Sequence, residues 1–225
     1  MDFETLRQYI ECHYRIKSTS IPLSARELTI TVVEQPDDYL QNFAQEDSDG
    51  ILHLPYWMYL WASAVGLGHH LERMVTLTGQ QVLELGCGFG LAGIVACQEG
   101  ASVLFTDYER EALRFAQYNA VQNRCADRST FLQMDWNAPC LKGKFSRILA
   151  SDVIYERKDW QPIIALVQKH LAPDGEVILA EPNRTNTSPF FELVSSQGFG
   201  YEEYGYTVCL EDDPSTVTVY CMKRI

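Results

Sequence analysis

Two rhythms of apolar residues alternate along this chain: short apolar runs closed by turn residues, and longer stretches with apolar positions three or four apart. The short runs at 82–85, 102–106, 130–134, 145–151 and 176–180 predict strands buried on both faces. The stretches at 91–96, 109–124 and 159–171 lie between them and predict helices, with Asp159 as a cap, Pro162 in the first turn and a turn at Pro173-Asp174-Gly175. Strand and helix in alternation predict an α/β domain with a mostly parallel sheet covered on both faces. A further helix is expected over 190–196, ending before Gly198. Segments 205–210 and 216–222 flank Asp212, Asp213, Pro214 and Ser215, which predicts a C-terminal antiparallel hairpin.

The first part of the chain reads differently. Phe3, Leu6, Ile10 and Tyr14 recur at helical spacing, 28–33 alternates like a strand, and 45–50 is acidic and loop-like. Residues 54–74 predict one helix starting at Pro55, dense in aromatics: Tyr56, Trp57, Tyr59 and Trp61. The expected organisation is an N-terminal extension over 1–53, serving as cap or lid, followed by one domain over 54–225.

Composition narrows the partners. A formal charge of -12 and a pI of about 4.8 disfavour a nucleic-acid backbone as ligand and suit a basic protein or a cationic substrate. The 7 cysteines are dispersed without a CxxC, so neither a metal site nor a disulfide framework is expected, and a cytoplasmic location is. Residues 1–17 carry charges throughout, so no secretion signal is expected, and no apolar run reaches membrane-spanning length.

The chemistry concentrates after the run at 82–85. Gly86, Gly88 and Gly90 follow it directly and lead into a helix-forming segment, so the backbone turns sharply and presents free amides to a ligand. Gly88 to Gly93 also spells GxGxxG, the dinucleotide pattern. Glu84 argues for another ligand: a carboxylate inside a buried strand, two residues before the first glycine, suits a ligand carrying an ammonium group. Asp107 ends the next strand, placed to accept two ribose hydroxyls.

Glu84-Leu85-Gly86-Cys87-Gly88-Phe89-Gly90 resembles motif I of the class I S-adenosylmethionine-dependent methyltransferases. Asp152-Val153-Ile154-Tyr155, at the end of the run at 145–151, is similar to the DxxY motif of methyltransferase family 16, the seven-strand protein-lysine methyltransferases. It lacks the paired prolines that cradle a planar amide or amino group in related motifs, which favours a flexible aliphatic amine. The resemblance covers residue 54 onward. It implies a Rossmann-like seven-stranded sheet, S-adenosylmethionine as cofactor, S-adenosylhomocysteine as product, and no metal. It also implies that Glu84, Gly86, Cys87, Gly88 and Gly90 hold the methionine part and that Asp107 and Tyr108 lie at the ribose. Asp135 and Trp136 would lie at the adenine, with Ser151 and Trp61 lining the pocket. Asp152 and Tyr155 become the candidate catalytic residues, Asp152 orienting an amine. Lysine N-methylation of a protein is the leading expectation. A small-molecule N-methyltransferase, a non-catalytic cofactor-binding protein and a dinucleotide oxidoreductase stand as alternatives.

Overall fold

The computed structural model describes residues 2–40, 54–184, 187–210 and 213–225; the acidic stretch 45–50 and Asp212 lie outside the described residues. The chain opens with α1 (Phe3–His13) and an antiparallel hairpin of β1 (Ile16–Pro22) and β2 (Glu27–Val33). A 3-10 turn, Tyr56–Met58, precedes α2 (Ala62–Met74). Then follow β3 (Gln81–Leu85), α3 (Leu91–Gln98), β4 (Ser102–Asp107), α4 (Arg110–Gln122), β5 (Ser129–Gln133) and β6 (Phe145–Ser151). The chain ends with α5 (Arg157–His170), β7 (Leu171–Glu181), α6 (Ser188–Ser196), β8 (Phe199–Leu210) and β9 (Asp213–Arg224).

The large sheet has seven strands in the order β5-β4-β3-β6-β7-β9-β8. β5 through β7 run parallel, and β9 joins antiparallel to both β7 and β8. The Rossmann-like sheet with its terminal hairpin is thus as expected. Because side chains alternate across a strand, β3 sends Val82 to one core and Leu83 and Leu85 to the other. The first core gathers α2, α3, α4 and the N-terminal hairpin; the second is closed by α5 and α6. Helices therefore cover both faces.

Five local readings change, the first being that Asp213, Pro214 and Ser215, expected in the hairpin turn, lie in β9 opposite Leu210, Cys209 and Val208. The segment 54–74 is not one helix: Pro55 leads only the 3-10 turn, Tyr59 is extended, and α2 starts after Trp61. The break keeps the aromatics off the helix and frees them for the mouth of the sheet. α5 begins after Glu156 rather than at Asp159, which places Pro162 inside the helix. Its missing N–H falls opposite the carbonyl of Lys158, an exposed residue, so the lost bond lies on the solvent side of the helix. The predicted turn at 173–175 lies inside β7, where the register slips between the Phe145–Leu171 and Arg147–Glu176 pairs. β1 has no signature in the sequence, because its exposed Lys17, Ser18 and Ser20 carry no apolar rhythm.

The N-terminal elements pack on α2 and α4. Phe3 stacks on Tyr118 and the Arg114 guanidinium sits 4.0 Å from the Tyr9 ring. Glu72 on α2 accepts the amides of Ser24 and Ala25 and pairs with Arg26, pinning the hairpin turn. Buried Asn119 accepts the Thr31 N–H at 2.8 Å and donates to Thr31 O at 3.1 Å and Phe89 O at 3.0 Å. One amide thus ties β2 to the glycine loop. Asn119→Leu is expected to lower stability by about 2–3 kcal/mol, because the buried groups it served lose their partners. Urea unfolding followed by circular dichroism measures it, and a loss below about 0.5 kcal/mol would show that the tie is dispensable.

Candidate functional site

Parallel register brings the carboxyl ends of β3, β4, β6 and β7 to one edge. Leu85 lies level with Thr106 and with Ala150, which in turn lies level with Leu179. The residues at the strand exits therefore converge: Asp107 and Glu181 at the ends of β4 and β7, Gly86 and Asp152 just after β3 and β6. Ligands bind at this edge of open α/β sheets.

Gly86, Gly88 and Gly90 all have positive φ, at 61°, 52° and 82°. Gly86 is wedged as well: a β-carbon there would lie 3.0 Å from Val153 Cγ1 and 3.4 Å from Trp136 Cζ2. Trp136 and Val153 thus close on the turn from two sides. Gly93, in the first turn of α3, has no room at all, since a β-carbon would sit 2.3 Å from the Phe105 ring and 2.4 Å from Glu84 Oε2. The Glu84 carboxylate therefore lies under the start of α3. It is buried, its Oε2 has no partner, and burial pushes it up to about 8 against the opposing Gly93 N–H. Cys87 is buried in the same loop, and its thiol is pushed up, chiefly by burial.

Asp107 accepts the Gly88 N–H on Oδ2 and the Glu109 N–H on Oδ1, each at 2.9 Å. It braces the glycine loop and keeps unused lone pairs on both oxygens. Burial raises it to about 6, against those two amides. Tyr108 is the most open aromatic of this edge at 61% exposure, and its backbone carbonyl accepts from the Gln133 side-chain amide at 3.0 Å. Asp135 turns back onto Asn137, accepting both its N–H and its side-chain amide. Beside it the Trp136 indole N–H is buried without a partner.

Ser151 ends β6, and Asp152 follows with φ of 58°, its N–H bonded to Ala180 O at 2.9 Å. The carboxylate is buried; Oδ1 accepts from Arg184 Nη1, and Oδ2 has no partner. Glu181, fully buried at the end of β7, accepts the Arg184 backbone N–H on both oxygens at 3.1 and 3.0 Å, and its carboxyl is raised by burial. Asp152, Glu181 and Arg184 therefore form one charged cluster. Neither Glu181 nor Arg184 was read as functional in the sequence. The signal available was the polar segment Glu181-Pro182-Asn183-Arg184 directly after a buried strand.

Above this edge stands an aromatic group. Tyr155 meets Tyr56 edge-on at 5.4 Å, Tyr56 meets Trp61 at 6.4 Å, and Trp61 donates its indole N–H to Tyr56 O at 3.0 Å. All three rings are more than a third exposed, so they form a wall open to solvent. Tyr56 joins the two predicted residues. Trp57, by contrast, packs into the core against Phe115 and Phe89, and Tyr59 donates its hydroxyl to Asp37. Among the described residues no cluster of three metal-binding side chains occurs.

A family model described as lysine methyltransferase matches residues 56–197. The histidine protein methyltransferase 1 homolog of Dictyostelium discoideum is 34% identical over 127 residues, 54% of this chain and 41% of that protein. Protein N-lysine methyltransferase METTL21A of Danio rerio is 31% identical over 154 residues, 65% of this chain and 70% of that protein. The chain thus spans less than half of the first relative's length and over two thirds of the second's. The crystal structure of a ribosomal protein L11 methylase from Lactobacillus delbrueckii subsp. bulgaricus shares the fold, with a TM-score of 0.63 and 20% identity, covering 91% of this chain and 98% of that one. With its matched segment running from the aromatic wall through α6, the chain belongs to the lysine methyltransferase family of class I S-adenosylmethionine-dependent methyltransferases.

Proposed function

We propose that this chain transfers a methyl group from S-adenosylmethionine to the side-chain amine of a lysine in a protein. The observation that carries this reading is the set of three buried, unpartnered polar atoms around one glycine turn: Glu84 Oε2, Trp136 Nε1 and Asp152 Oδ2. Leaving such atoms dry and unpaired is costly, and a polar ligand at the turn relieves it. The residues fit the donor. Glu84 and the amides of the glycine loop would hold its amino acid end, Asp107 the ribose, and Asp135 with Trp136 the adenine. Cys87, Tyr108 and Ser151 line the path between them.

When bound, the donor supplies an electrophilic methyl on a sulfonium. The chain's own task is to present the acceptor nitrogen in line with that methyl and keep water away, since alignment alone is worth up to about 7–11 kcal/mol. The free Asp152 oxygen orients the amine. Tyr155, Tyr56 and Trp61 wall the approach and favour an aliphatic chain ending in a cation over a more polar acceptor. The proton lost by the amine passes to solvent. The acidic surface, with a formal charge of -12, favours a basic partner in the cytoplasm, and the extension borders the wall where Tyr59 meets Asp37.

Histidine is the second reading, supported by the Dictyostelium relative. Incubation of a lysate lacking this protein with methyl-labelled donor, followed by mass spectrometry of digested protein, distinguishes them. Label on lysine is expected. Label confined to histidine would replace the acceptor, and label confined to small molecules would overturn the protein substrate.

A further inference from the structure

The cluster at the acceptor side holds two carboxylates, Asp152 and Glu181, and one cation, Arg184, whose guanidinium pairs with both. Arg184 is not a swinging surface arginine. Its backbone N–H is clamped on the Glu181 carboxylate, and Asn183, at φ 60°, is fastened to β9 by bonds to Thr216 O at 3.2 Å and from Thr218 Oγ1 at 2.6 Å. The side chain is about 30% exposed, so it borders the pocket while its partners lie deeper. A fixed cation has thus been placed within bonding distance of the carboxylate that receives the acceptor.

Methyl transfer needs the amine lone pair, so the acceptor ammonium must first lose its proton. Two unbalanced carboxylates would hold the proton on: an opposite charge within about 4–6 Å shifts such a group by 1–3 units. A neighbouring guanidinium, which stays charged, opposes this. Resting on the function proposed above, we infer that Arg184 is a positioning residue that offsets the cluster's negative charge, so that the acceptor amine is oriented by Asp152 without being locked in its protonated form. The same cation disfavours a permanently charged acceptor, which links it to acceptor choice. Among the described residues, the other titratable groups on this side include the phenols of Tyr155 and Tyr56, with Glu156 and Asp159 acting on Tyr155 from the α5 side, Asp107, and Tyr220 on β9 beside Glu181; the nearby cation Lys158 is exposed and paired with Glu156.

Sinefungin carries an amino group where S-adenosylmethionine carries the methylsulfonium, so it places an ammonium at the transfer position. Its affinity relative to S-adenosylhomocysteine, measured by calorimetry at neutral pH, reports the charge balance felt there without any turnover. Arg184→Gln is expected to raise the preference for sinefungin about tenfold, the equivalent of one pKa unit. Arg184→Lys should keep it within about twofold of wild type, and Glu181→Gln should lower it. In wild type the preference fades as pH rises through the pKa of the bound amine, and in Arg184→Gln that fading should move up by about one unit. An unchanged or lowered preference in Arg184→Gln, with S-adenosylhomocysteine still bound, overturns the inference and leaves the donor site standing. If Arg184→Gln does not fold, Glu181→Gln decides: a lower preference supports the inference and any other result overturns it. Failure of wild type to bind either nucleoside overturns the donor site and the inference together.

Discussion

Asp152→Asn is expected to lower the rate of methyl transfer by about a hundredfold or more while S-adenosylhomocysteine binds within about threefold of wild type. The replacement is chosen for the backbone. Asp152 sits at φ 58°, where asparagine is tolerated about as well as aspartate, so the turn after β6 keeps its shape. The amide oxygen still accepts from Arg184. What disappears is the negative charge that holds an ammonium and steadies the methylated cation as it forms. Single-turnover transfer from labelled donor, with calorimetry of the product nucleoside alongside, separates the two effects. A rate within threefold of wild type would remove Asp152 from the chemistry.

The second large effect concerns Glu84 and pH. In the nucleoside-free protein burial holds this carboxyl up to about 8, so over most of the neutral range it is protonated. A ligand ammonium binds the ionised form, and binding must therefore expel a proton. Affinity for S-adenosylhomocysteine should rise with pH, by up to about tenfold per unit between pH 6 and 8, and level off above. Glu84→Gln should bind weakly and without that slope. Stability of the nucleoside-free protein runs the other way. The folded carboxyl titrates at about 8 against an ordinary 4.5, so the folded state binds more protons between those values and its stability falls as pH rises across them. Asp107, raised to about 6, adds a smaller fall that ends earlier. Thermal melts from pH 5 to 8 should decline in wild type and less in Glu84→Gln. An affinity that stays flat with pH would show that no ammonium meets this carboxylate.

The parts of the site visible in the chain are those set by short spacing. Glu84 and the three glycines belong to one strand exit, Asp107 closes the next strand, and Asp152 to Tyr155 follow β6; each is a local pattern of burial and turn chemistry. Parallel register then brings these exits together without further information. Contacts between distant segments left no such trace. Arg184 meets Asp152 across 32 positions and Asn119 meets Thr31 across 88, and neither pair has a period or a motif to announce it. Trp61 is expected at the pocket only through the family resemblance, and its surroundings are not legible in the chain, because a run of aromatics after proline looks helical until packing breaks it. β1, polar on most of its length, is held by its partner strand, whose turn Glu72 pins, more than by its own composition.

The amide of Asn119 reaches both Thr31 and the carbonyl of Phe89, inside the glycine loop. Similarity to the family begins at residue 56, whereas this brace comes from an element that starts at residue 27. The leading segment is thereby a lever on the cradle: a shift of the β2 backbone at Thr31 is passed through one buried amide to the carbonyl of Phe89, so the shape of the glycine turn depends on an element outside the segment that carries the family match.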